Sequence, residues 1–176
     1  LVPADYRSFF IHDLELDNMD ISTGDFPIEQ LSNAIIKSSM IEYAINIYLG
    51  ETKKMKDKPI SAWFCPDILV AEETKKQVAE KNLNVELITA KTPIKDRLEI
   101  LKKHEVGDLE CLISVGVLSE GWDNPNCNII VHLRPTLSKV FWGQSVGRGL
   151  RSAEGKTKCL VIDVSSNFTT CGPVEH

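Results

Sequence analysis

Five short runs rich in valine, isoleucine and leucine punctuate the chain, at Ile60–Cys65, Val85–Thr89, Glu110–Val115, Asn128–Leu133 and Lys158–Val164. Within each run most apolar residues are consecutive rather than alternate. A strand with one wet face alternates, whereas a strand apolar on both faces needs cover above and below. The stretches Asp67–Lys81 and Pro93–Lys103 read as helices that can provide it. The pattern predicts an α/β fold, a parallel sheet sandwiched by helices. In open parallel sheets ligands bind beyond the carboxyl ends of the strands, which directs the search to the loops after Cys65, Thr89, Val115 and Leu133.

Two regions are expected. Residues 1–57 read as a connector that packs on the core. It has a strand-like opening from Arg7 to Leu16, a turn at Gly24–Pro27, and one long helix through Leu31, Ile35, Ile41, Ala44, Ile45 and Tyr48 that stops near Gly50. Lys53–Lys58 reads as exposed linker, and residues 58–176 hold the main domain. No apolar run is long enough to span a bilayer, and no basic-then-apolar leader precedes the first element. The five cysteines form no C-x-x-C pair, and three sit inside apolar runs, which fits reduced, buried thiols in a cytoplasmic protein. The four histidines lack metal-ligand spacing, so no metal site is expected in the chain. Opening on Leu1, the chain reads as part of a longer protein.

The net charge of −5 argues against bulk coating of nucleic acid. Residues 134–158, however, hold six lysines and arginines against the single acid Glu154. A basic site on an acidic body suits a confined anion such as a polyphosphate or one strand's backbone. It also suits a solvated basic face. Within this segment Gln144-Ser145-Val146-Gly147-Arg148-Gly149-Leu150-Arg151 follows Thr136 and Ser138, either of which can cap a helix start. A helix there sets Gln144, Arg148 and Arg151 on one stripe. Gly143, Gly147 and Gly149 would each cost roughly 1 kcal/mol in a helix interior, which suggests close approach by another surface. Arginine grips phosphate with two parallel hydrogen bonds. The spacing alone equally suits a surface helix with ordinary ion pairs.

An ordered set of motifs resembles the second RecA-like domain of superfamily 2 helicases. Gln144–Arg151 is similar to motif VI, Q-x-x-G-R-x-x-R, and Gly121-Trp122-Asp123 resembles the G-x-D core of motif V. Arg134-Pro135-Thr136-Leu137-Ser138 resembles the R-P-T-x-S run before motif VI. Trp63–Pro66 falls where motif IV is expected, and the region before residue 59 looks like the branch with type III restriction-enzyme-like translocating subunits.

The resemblance implies a P-loop NTPase-type helicase domain without its own P-loop. It would share ATP and magnesium with an N-terminal RecA-like domain that supplies the P-loop and the magnesium ligands. Arg151 would be the arginine finger and Arg148 a second triphosphate contact. Gln144 and Gly147 would line the nucleotide, and Gly121 and Asp123 would face it, the carboxylate accepting a ribose hydroxyl. Asp123 also suits a simple turn cap. Nucleic acid, DNA ahead of RNA, would be gripped through its backbone at Pro66, Thr89, Ser114, Val115 and Gly116. DEAD-box relatives carry Thr where Val115 stands, which leaves Ser114 as the nearest hydroxyl.

Gly155-Lys156-Thr157 looks like the end of a P-loop, but Leu150 stands where the first glycine is required, and a strand rather than a helix follows. A helicase-like scaffold without catalysis is the main rival, and a metabolite-binding doubly wound domain would need a Gly-rich turn that is missing.

Overall fold

The computed structural model describes residues 1–118 and 122–174. Six parallel strands form one sheet in the order β1-β6-β5-β2-β4-β3. They are β1 (Ala4–Ser8), β2 (Ser61–Phe64), β3 (Val85–Ile88), β4 (Cys111–Ser114), β5 (Ile129–His132) and β6 (Cys159–Asp163). Helices α1 (Ile28–Lys37), α2 (Met40–Thr52), α3 (Ile68–Glu80), α4 (Ile94–Glu105), α5 (Lys139–Gly149) and α6 (Asn167–Cys171) cover its two faces.

Chain direction decides which face each helix takes. Crossovers between parallel strands are right-handed, so stepping one way along the sheet places a helix on one face and stepping back places it on the other. The steps β1 to β2 and β2 to β3 run the same way, and α1, α2 and α3 share a face over Trp63, Ile113, Ile129, Val131 and Ile162. The steps β3 to β4 and β5 to β6 run the opposite way, and α4 and α5 lie over Ala62, Phe64, Leu112, Ile130 and Val161. Consecutive strand residues thus feed opposite cores, which is why apolar residues stand side by side in the runs.

Two expectations for the opening region are corrected. The first strand is Ala4–Ser8, not Arg7–Leu16, because residues 4–8 find the open edge of β6. Beyond it the chain turns, Leu14 N–H donating to the Ile11 carbonyl at 3.2 Å. The single long helix is two. Ser38 Oγ donates to the Ile35 carbonyl and accepts from Met40 N–H, and Asp13 receives both Ser39 N–H and Ser39 Oγ. Side chains that satisfy the backbone locally interrupt the helical ladder. The second helix runs past Gly50 to Thr52.

All five cysteines are free and four are buried, with burial pushing Cys111 and Cys127 up to about 11. Such thiols stay protonated and unreactive. Among the described residues no helix is long and apolar enough to cross a membrane, and no cluster of three potential metal ligands occurs.

Candidate nucleotide half-site

Ser138 caps α5 by accepting Phe141 N–H at 3.2 Å. From there α5 runs antiparallel to the strands and ends near their amino ends. Leu150, its C-cap, gives its carbonyl to Val2 N–H at 2.8 Å, two residues before β1. The basic motif therefore does not lie beyond the carboxyl ends of the strands, where ligands of open parallel sheets bind.

Gln144 is exposed on α5, and Gly147 and Arg148 are half-buried. Arg151 is not on the helix: α5 stops at Gly149, and Arg151 follows in irregular chain. The expected three-residue helical stripe is corrected to two residues, but Arg151 stays beside it. Arg148 Nη1 donates to the Trp122 carbonyl at 2.9 Å, and Arg151 forms an ion pair with the Asp123 carboxylate. The Arg151 and Asp123 side chains are 35% and 56% exposed, so the pair is worth little for stability and is accessible to a competing anion. Gly121 lies outside the described residues, as do Ser119 and Glu120.

The three glycines of α5 differ. A Cβ on Gly149 would stand 2.5 Å from Cys159 Sγ and 2.6 Å from Ile130 Cγ1, so here the close-approaching surface is the sheet itself. A Cβ on Gly143 or Gly147 would meet nothing within 4 Å, which leaves room for a neighbour from outside. Gly149→Ala is expected to destabilise the chain by about 1–3 kcal/mol through overpacking against a strand that cannot retreat. A urea midpoint unchanged by that substitution would refute the close-contact explanation.

The loop Trp122–Cys127 is fixed from behind by residues the sequence did not single out. Asn124, buried, donates Nδ2 to His104 Nδ1 at 3.0 Å and to the His104 carbonyl at 3.2 Å. His104 Nε2 reaches the Ser61 carbonyl at 3.0 Å, which makes Nε2 the protonated nitrogen of a neutral ring. Burial holds His104 down at about 4. Asp25 likewise docks the opening region onto the start of α5, accepting Thr136 Oγ1 at 2.7 Å and Leu137 N–H at 2.9 Å. Arg134 stacks on Phe141 with its guanidinium 4.2 Å from the ring centre and pairs with Asp25 at 3.8 Å. Residues this distant in sequence leave no local signature.

The expected nucleic-acid residues gather at the other end of the sheet. Cys65 N–H donates to the Ser114 carbonyl at 3.0 Å and Val115 N–H to the Ile88 carbonyl at 3.3 Å, so the loops after β2, β3 and β4 are neighbours. Thr89 and Val115 are half-buried and Gly116 is exposed. Pro66 and Ser114 are both buried, and the Ser114 hydroxyl is closed off from the surface, so neither presents an exposed side chain there. Thr89, half-buried in the loop after β3, carries a hydroxyl there, which accepts Lys91 N–H at 3.1 Å.

A family model, the helicase conserved C-terminal domain, matches residues 30–153, which include both arginine contacts and the Asp123 loop. The chain belongs to this family. The helicase domain is 29% identical over 149 residues to the putative ATP-dependent helicase IRC3 of Saccharomyces cerevisiae, covering 85% of this chain and 22% of IRC3. A putative HsdR subunit of a type I restriction enzyme from Vibrio vulnificus superposes on 98% of the chain and 35% of its own, with a TM-score of 0.69 and 20% identity. Domain 2 of the DEAD-box helicase Mss116p, solved bound to an RNA duplex, covers 71% of the chain and 50% of its own, with a TM-score of 0.60 and 16% identity. The structural likenesses carry the fold, a RecA-like helicase C-terminal domain. They do not single out the type III branch, and the restriction subunit among them is of type I. The chain spans about a fifth of IRC3 (22%).

Proposed function

We propose that the chain is the second RecA-like half of an ATP-dependent nucleic-acid helicase or translocase. A single observation carries this: Arg148 and Arg151 of one motif converge on Trp122 and Asp123 of another, on a partly exposed surface. The open space over Gly143 and Gly147 fits the approach of a second domain holding a triphosphate. In this reading the P-loop and the magnesium ligands belong to that domain, and bound ATP supplies the phosphoryl group attacked by water.

This chain's part is electrostatic. As the cleft closes, the Arg151 guanidinium exchanges Asp123 for phosphate oxygens and stabilises the charge that develops on them. Arg148, anchored on the Trp122 carbonyl, holds a second positive charge nearby. Asp123, released, can accept a ribose hydroxyl, with Gly121 and Gly147 admitting the nucleotide and Gln144 contacting the partner surface. The test is ATP turnover by the protein carrying both halves, with and without the Arg151 guanidinium.

A second reading, a scaffold without catalysis, draws on the internal partners that both arginines have. The same test separates the two, because a scaffold loses no turnover.

Nucleic acid would run past Thr89, Val115 and Gly116, DNA ahead of RNA, and be held by its backbone. The chain alone should bind single strands weakly and without base preference. At two or three phosphate contacts, log K should fall with log salt at a slope of roughly −1 to −2. Titration with several DNA and RNA strands at two salt concentrations measures this. Tight binding that survives high salt, or a clear base preference, would refute it.

A further inference from the structure

Lys156 sits in the link between α5 and β6, just after Gly155, whose φ of +77° bends the chain back toward the helix end. Its ammonium is surrounded by backbone. Nζ lies 2.9 Å from the Pro125 carbonyl, 2.7 Å from that of Cys127, 2.6 Å from that of Gly149 and 2.7 Å from that of Arg151. An ammonium has three protons, so four acceptors share three donors.

The four carbonyls come from two places that matter to the half-site. Gly149 and Arg151 are at the carboxyl end of α5, where helix carbonyls lack partners and the helix dipole is negative. Pro125 and Cys127 belong to the loop that carries Trp122 and Asp123, the contacts of Arg148 and Arg151. One cation thus ties the helix end, the backbone of Arg151 and the facing loop into a unit. Burial lowers the Lys156 pKa, so the site disfavours the charge except for the carbonyls that receive it. A compact ammonium suits four converging carbonyls, and the planar guanidinium of arginine does not.

We propose that Lys156 is a positioning residue: it fixes the backbone of Arg151 and the loop 122–127 in register, so that the guanidinium is presented at the nucleotide-facing surface. This rests on the reading of Arg151 as the finger, and the experiment has one arm that depends on that reading and one that does not. Arg151 lies outside the helix, so no helical ladder holds it, and its ion pair with Asp123 is partly exposed. The Lys156 hydrogen bond at 2.7 Å holds the Arg151 carbonyl itself, beyond the Val2 contact that holds the Leu150 carbonyl before it.

The first arm is amide hydrogen exchange on this chain and its Lys156→Met variant, which keeps the length of the side chain and removes the charge. Amides of residues 122–124, 126–127 and 149–152 should exchange about tenfold faster or more, while those of β2 and β4 keep their protection. Uniform loss of protection across the sheet, or no change at all, overturns the proposal.

The second arm is ATP turnover by the protein carrying both halves. Lys156→Met should lower kcat about 10²-fold, the scale of a misplacement near 1 Å, with KM for ATP changed by less than about threefold. Added to Arg151→Ala it should cost far less than about 10²-fold more, because the lysine acts mainly through that arginine and only secondarily through the loop that anchors Arg148. A full further loss in the Arg151→Ala background overturns the proposal. Lys156→Arg, which keeps the charge and the fold, should still lower kcat, and full activity in that variant would also overturn it. If Arg151→Ala retained full turnover, the finger reading would fall, and the exchange arm would report the backbone clamp independently of it.

Discussion

ATP turnover should fall by about 10³-fold or more when Arg151 is replaced by Ala in the protein carrying both halves of the site, the lower end of arginine-finger effects. That factor corresponds to about 4 kcal/mol of transition-state stabilisation. The size follows from when the guanidinium acts. In the resting chain it is paired with the Asp123 carboxylate, and on the proposed function it would gain most when negative charge builds on the phosphoryl oxygens in a closed, dry cleft. Ground-state affinity for ATP should therefore change far less than kcat. Arg151→Lys should recover little, because lysine offers a point charge where two parallel hydrogen bonds are needed. Steady-state kinetics of the three proteins decides the matter. Near-normal turnover in the lysine variant would show that the fork geometry is irrelevant and would sink the assignment.

Acid should unfold the chain well before its carboxylates are all protonated. His104 and His132 are both fully buried rings, held neutral by burial at about 4 and about 3 respectively. His132 is boxed in by Ser145 Oγ at 2.8 Å and Asn167 Nδ2 at 3.0 Å, a satisfied core residue rather than a base. Once unfolded, each ring regains a value near 6.5. Between that value and the folded one, the unfolded chain binds protons that the folded chain refuses. Stability is thus fully present above about pH 6.5 and is lost as pH falls toward 4. Each ring contributes on the order of 3 kcal/mol over the window, against a total of about 5–15 kcal/mol for a typical domain.

Burial raises Asp163, which opposes this trend, but its carboxylate accepts Phe168 and Ser165 N–H, which limits the rise. Urea midpoints measured from pH 7 to pH 4 should fall steadily below 6.5. A flat profile down to pH 4.5 would mean that the rings are not held neutral.

The sheet was legible because burial on both faces writes itself into consecutive residues. Ala62, Trp63 and Phe64 serve alternate cores, so all three are apolar, and the strands read from such runs lie within two residues of the observed ones. The run holding Gln144, Gly147, Arg148 and Arg151 stands out for a similar local reason, by residue type and short spacing.

Strand order was not legible. The pairing of β1 with β6 joins residues 4–8 to residues 159–163, and neither segment names the other. Nor was the end of α5 before Arg151, the break between Ser38 and Met40, or the burial of Pro66 and Ser114, each of which depends on neighbours supplied by distant chain.

Lys156 marks the limit most sharply. Its partners are four main-chain carbonyls, a group every residue carries, so no choice of side chain records the contact. The sequence determined which residues could form strands and where the basic run of α5 stands. Only the tertiary structure decided which backbone would hold Arg151 in place, because that interaction is made by atoms that amino-acid identity does not vary.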